Sequence, residues 1–128
     1  MKFAISNEVE MYDTASDSWS ITTLLPDDRH HAGIASLNGL LYVVGGFTKS
    51  FMSVWHAVST VYQYNPATKE WHELAPIEYL VILRSINAPA RHGLGSAVVN
   101  GLYVISGDPT PGGSFSQINE IFIPSTVE

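Results

Sequence analysis

The sequence predicts an all-β protein assembled from repeated antiparallel units, and three observations predict it. Residues 29–46, RHHAGIASLNGLLYVVGG, recur with small changes as residues 91–107, RHGLGSAVVNGLYVISG. In each copy two apolar runs flank an Asn-Gly pair, Asn38-Gly39 or Asn100-Gly101. That dipeptide suits a type I′ turn, whose two central residues both need positive φ, so each copy is expected to be a β-hairpin. Second, Tyr12 and Trp19 return as Tyr64 and Trp71, each 52 residues on (64 − 12 and 71 − 19). Third, no segment combines a helical apolar period with caps. The run that most invites a helix, residues 78–85, is uncapped and lies between Pro76 and Pro89. A period near fifty in sequence that reads only as strands is the signature of a β-propeller array.

The chain in order supports this. Residues 8–12 (EVEMY) alternate in character and lead into the turn formers DTASD, after which residues 19–23 make a second short strand. The same pair recurs as residues 58–64, the turn NPATK, and residues 71–74. If four strands of one blade are labelled a to d, the hairpin at 29–46 supplies a and b, and the strands around Tyr64 and Trp71 supply c and d. The expected organisation is a half blade (strands c and d) over residues 1–25 and a complete blade over 26–76. An inserted apolar loop follows at 77–90, then an incomplete last blade (a, b, c) over 91–128 whose final strand is 119–123. That amounts to about two and a half blades.

A Gly-Gly doublet closing strand b (Gly45-Gly46), then Tyr64, then Trp71 after a short turn: in these features the chain resembles the kelch repeat family. The last copy departs from the pattern, with Ser106-Gly107 in place of the doublet and no closing Tyr and Trp. The resemblance implies a closed ring of roughly six or seven four-stranded blades. Two readings of the shorter length follow: the C-terminal portion of a larger propeller, or a short protein forming a homo-oligomer whose copies complete one ring.

Composition excludes several functions. Six Lys and Arg against twelve Asp and Glu, a formal charge of −6, leave no basic surface for phosphates, so nucleic acid is not expected as a partner. Without cysteine there is no disulfide, thiolate nucleophile or thiolate metal site. The opening MKFAISNEVE is too short and polar for a secretory signal, and no apolar run is long enough for a membrane span, so a soluble cytoplasmic protein is expected. The histidines at 30, 31, 56, 72 and 92 lack the spacing of a zinc-binding helix, and His30-His31 should point to opposite faces of a strand; neither metal nor cofactor is expected. No Gly-x-Ser-x-Gly elbow exists for a hydrolytic triad, and no catalytic residue is assigned.

What repeats in register reads as scaffold: Tyr12, Trp19, Asn38, Gly39, Gly45, Gly46, Tyr64, Trp71, Asn100 and Gly101, with the aromatic pairs expected between blades. Arg29 and Arg91 are expected to tie the chain together by donating to backbone carbonyls, with an anion clamp as the rival role. What does not repeat reads as function. The a–b and c–d turns are short, whereas residues 47–57 (b–c), 77–90 (d–a) and 108–117 (b–c) are long and should leave the same end of the blades. That face would present Phe51, Trp55, His56, Tyr79, Leu83, Arg84 and Asp108.

The expected function is a binding module that engages a protein or a small ligand through these loops, without chemistry of its own. Two alternatives stand beside it. Residues 91–120 resemble the last blade of bacterial kelch-type sugar mutarotases, which implies acid–base work on sialic acids by Arg91, His92, Asp108 or Glu120. A structural or truncated fragment without independent function is the other.

Overall fold

The computed structural model describes residues 6–49, 55–76, 93, 95–98, 102–105 and 119–122. Among these every regular element is a strand. In chain order they are β1 (Glu8–Asp13), β2 (Ser18–Leu24), β3 (Gly33–Leu37), β4 (Leu40–Val44), β5 (Phe47–Lys49), β6 (Trp55–Ala57), β7 (Val61–Asn65), β8 (Glu70–Leu74), β9 (Gly95–Val98), β10 (Leu102–Ile105) and β11 (Asn119–Phe122). One sheet is the complete four-stranded blade, in the order β3-β4-β7-β8, which are strands a to d. Before it stands the pair β1-β2, and after it the three-stranded sheet β11-β10-β9. All pairings are antiparallel. The fold is therefore a partial propeller.

The Asn38-Gly39 turn has φ of 52° and 78°, and it joins Leu37 to the directly opposed Leu40. Both residues sit where a type I′ turn needs them. Asn100 and Gly101 lie outside the described residues, between Val98 and Leu102, which pair with one another.

The core lies on the inner strands. Tyr42, Val44 and Val61 form its centre, with Ala35, Leu37, Leu40, Leu74 and Val98 packed around them. Residues 42–46 of β4 and its continuation are buried without a break. A continuous buried run belongs to a strand covered on both faces, as between stacked sheets. Val98 shows that part of this cover comes from β9 of the following unit, and Ser96 Oγ donates to Ile34 O at 2.8 Å across the same junction.

On the other side of the blade, Trp71 packs against Tyr64 (ring centroids 4.9 Å apart) and edge-on to Tyr62 (6.4 Å). Its Nε1 donates to Thr23 Oγ1 of β2 at 3.1 Å, so this indole bridges the blade and the preceding strand pair. The matching pair differs. Tyr12 and Trp19 also stack, at 5.1 Å, but Trp19 is 68% exposed and Tyr12 43%, against 4% for Tyr64. The inter-blade core position expected for both aromatic pairs is thus occupied only by the second. Thr23 of β2 reaches Trp71, whereas among the described residues no element of another unit is bonded to Trp19.

Two further expectations are corrected. Residues 47–57 are not simply a loop, because β5 and β6 pair there as a separate two-stranded hairpin. His30 and His31 do not point to opposite faces of a strand. His31 adopts a left-handed backbone (φ 56°), which turns its ring back onto that of His30, edge to face at 4.7 Å.

A β-bulge interrupts the β1-β2 ladder between Val9 and Glu10. Glu10 opposes Ile21 and Val9 opposes Thr23, so Thr22 is the extra residue. The interval from Trp to the next Pro is longer here than in the following blade (26 − 19 against 76 − 71), and the bulge takes up one of the two additional residues.

Gly46 has no room for a side chain. It has φ of 98°, and a Cβ placed on it would lie 2.8 Å from His30 O and 3.1 Å from Ala32. Gly39, also at positive φ, has nothing within 4 Å. Gly46→Ala should therefore destabilise the fold by more than about 2 kcal/mol and Gly39→Ala by about 1 kcal/mol, as read from urea unfolding of the two variants. The same measurement should separate the two tryptophans. Trp71→Ala should cost about 3 kcal/mol and Trp19→Ala less than about 1 kcal/mol, since only the first empties packed volume.

Candidate functional site

The loop-bearing end of the blade is built on Arg29. Just ahead of β3, its side chain is 1% exposed, and it is held on several sides. Nε and Nη2 donate to the two carboxylate oxygens of Asp27, at 3.1 and 2.6 Å. Nη1 donates to Gly45 O at 3.1 Å and, more weakly, to Thr60 O at 3.5 Å. The guanidinium lies over the Tyr62 ring, 4.9 Å from its centroid, and the Tyr62 hydroxyl donates to Asp27 Oδ2 at 3.2 Å. Thus one cation joins the chain before strand a, the end of strand b and the entry to strand c. The geometry uses the planar fork of arginine, which matches a carboxylate on one side and leaves donors for carbonyls on the other. Four of its five N–H donors are placed in these bonds and the side chain is buried, which is the tying role expected of Arg29; Arg91 lies outside the described residues.

Burial raises the pKa of the Tyr62 phenol, and the nearby Asp27 carboxylate adds to the effect, with Arg29 opposing it. The phenol therefore stays a neutral donor through the neutral range. At the first aromatic pair Tyr12 is raised too, chiefly because its hydroxyl is bonded to Asp17. In the β1-β2 turn the Asp13 carboxylate is lowered, first by the Ala15 backbone N–H, which donates to it at 2.8 Å.

Above Arg29 stands the β5-β6 hairpin. Its root is a backbone bridge in which His30 N–H donates to Phe47 O (3.1 Å) and Phe47 N–H to His30 O (2.8 Å). Val58 N–H closes the other leg on Gly46 O at 2.9 Å, and the His30 and Phe47 rings pack at 5.3 Å. Gly46 thus serves this site directly, since a side chain there would push His30 and its bridge away. His56 is exposed on β6, opposite Thr48, and Trp55 is the first residue of that strand. Phe51, Tyr79, Leu83, Arg84 and Asp108 lie outside the described residues. Of the groups named for a mutarotase, Arg91 and His92 also lie outside, and Glu120 falls on β11. Among the described residues no group of three or more His, Cys, Asp or Glu could hold a metal, and no helix is long and apolar enough to cross a membrane.

Two residues of the Arg29 network carry no sequence signal of their own kind. Asp27 lies in the turn-like PDD that follows the first blade segment, and Tyr62 sits two residues before the repeated Tyr64. An acidic residue two positions before a repeated Arg was the available clue.

Residues 28–77, which contain the whole blade and the hairpin, match the Kelch motif family. The chain carries a kelch motif. A Kelch-like protein of Aspergillus terreus is 31% identical over 70 residues, which are 55% of this chain and 15% of that protein. Mouse Kelch-like protein 9 is 30% identical over 76 residues (59% and 12%), and zebrafish Kelch-like protein 24a is 49% identical over 45 residues (35% and 8%). The chain therefore spans only a small part of these kelch relatives. Among solved structures, that of YjhT superposes with a TM-score of 0.59 at 23% identity, over 80% of this chain and 34% of that one. It shares the fold.

In this kelch blade, Arg29→Met should cost about 3 kcal/mol, because Asp27 and two carbonyls lose their donor, and Arg29→Lys should recover only part of it. Tyr62→Phe keeps the ring over the guanidinium and loses one hydrogen bond, about 1 kcal/mol. A phenol whose pKa is raised by folding contributes stability below its unfolded value of about 10 and loses it as pH rises through the higher folded value. Urea unfolding followed from pH 8 to 11.5 should accordingly show a shallower alkaline decline for Tyr62→Phe than for the wild type.

Proposed function

We propose that this kelch-repeat chain is a binding module, without chemistry of its own, that engages a protein through the b–c and d–a connections on one face of its blades. Kelch repeats generally mediate protein interactions, and a small ligand held by the same face is the narrower form of the reading. The observation that carries it is the β5-β6 hairpin. It leaves the four-stranded sheet, is rooted by the His30–Phe47 bridge, and presents His56 to solvent. A short hairpin held at both legs keeps its surface residues in a defined arrangement, which lowers the ordering cost of recognition. The aromatic and cationic residues assigned to this face, Phe51, Trp55, Tyr79 and Arg84, belong to the types that dominate binding energy in interfaces.

The test compares partner capture by the wild type and by a Trp55→Ser/Leu83→Ser variant. Capture should fall by more than about tenfold while circular dichroism stays the same. Unchanged capture by a folded variant would sink the loop-face reading.

A further inference from the structure

Adjacent residues of a regular strand point to opposite faces, so their side chains cannot share a metal ion. His30 and His31 escape that rule. With His31 at φ 56° the two rings meet edge to face, and their Nδ1 atoms are in direct hydrogen-bond contact. A neutral imidazole carries a proton on one nitrogen and a lone pair on the other, so the contact sets one Nδ1–H against one bare Nδ1. If the donor ring carries its proton on Nε2 instead, two Nδ1 lone pairs converge on one point. Both imidazoles stay neutral, and no proton is lost. Two converging neutral imidazoles are a chelate for a transition-metal ion.

The backbone holds both of them. The N–H and C=O of His30 are bonded to Phe47, at 3.1 and 2.8 Å, and the His30 ring packs on the Phe47 ring. His31 O accepts from the Gly93 N–H at 3.1 Å, which pins the left-handed turn to the next unit. Histidine is among the residues that enter this backbone region more readily than most.

The dimensions suit a metal as well. Two metal–nitrogen bonds of about 2.0 Å set their nitrogens about 2.8 to 3.3 Å apart, for square-planar and tetrahedral angles respectively. A small rotation of the exposed His31 ring opens the present contact to that width. The formal charge of −6 favours a cation, and Asp28 adds a carboxylate two residues before His30. Among the described residues no third His, Cys, Asp or Glu joins the pair, so water would fill the other positions. Copper(II) suits such a set best, since it stands highest among first-row divalent ions in affinity for nitrogen ligands.

We propose that His30 and His31 form an exposed bidentate site for a divalent transition-metal ion, copper(II) most tightly, bound through both Nδ1 atoms. The site lies at the root of the β5-β6 hairpin, yet it does not rest on the loop-face reading, which is tested at other residues.

The test uses the whole chain and copper(II) alone. One copper should bind per chain, and its electron spin-echo modulation should show two equatorial imidazoles. His31→Asn removes one imidazole and keeps a residue that tolerates left-handed backbone. It should weaken copper binding by about tenfold or more in calorimetric titration, with circular dichroism unchanged, and His30→Gln should do the same. His56→Gln and His72→Gln change the other exposed histidines among the described residues and should leave the affinity as it is. A single imidazole on the copper would overturn the proposal, and so would wild-type affinity in either His31→Asn or His30→Gln. Loss of binding on substitution of His56 or His72 would place the copper elsewhere and overturn it as well.

Discussion

The guanidinium of Arg29 is the point on which the complete blade depends. Backbone pairing alone joins neighbours: β3 to β4, β4 to β7, β7 to β8. Arg29 ties the chain before strand a to Gly45 after strand b and Thr60 before strand c, two residues that a backbone bond already joins, while its charge is balanced by Asp27. A buried cation is tolerated when its charge and its donors are matched, and here Asp27 balances the charge and four of the five donors are bonded. The consequence is positional. The two ends of the b–c connection are held to a common anchor, and the β5-β6 hairpin that grows from them inherits that fixed base.

Core and anchor divide the work within the blade. Tyr42, Val44 and Val61 supply non-directional burial, which favours compactness without selecting one arrangement of the loops. The polar contacts around Arg29, together with the close approach of Gly46 to His30 O, are directional and select a single path for the chain. Tyr62 belongs to both systems, with its ring against Arg29 and Trp71 and its hydroxyl on Asp27. This helps to explain why a blade with few fully buried residues can still hold a defined loop-bearing end.

Much of this was legible in the sequence because it repeats. The Asn38-Gly39 turn, the Tyr64–Trp71 pairing and the four-strand order follow from local rules applied at a fixed spacing. Less legible were features that depend on neighbours. Trp19 and Trp71 are equivalent by spacing, yet one is exposed and the other bridges to Thr23, since burial is decided by what stands opposite and not by the repeat. The ring contact of His30 and His31 was hidden for another reason: a single left-handed residue cancels the alternation assumed for a strand. The β5-β6 hairpin has strands of three residues each, too short for any periodicity to show. Asp27 was masked by its setting in a turn. For the loop face itself the sequence offered composition and length, which indicate a place for recognition but carry no geometry.

The bulge at Thr22 bears on how such arrays change over time. A residue added within a strand would ordinarily rotate every side chain beyond it to the opposite face. Here the addition is confined to one step of the ladder, and Tyr12 still meets Trp19 while Thr23 still reaches Trp71 in the next unit. Length drift in one repeat is thereby absorbed before it reaches the junction with its neighbour, so successive repeats can diverge in size without losing the ability to stack.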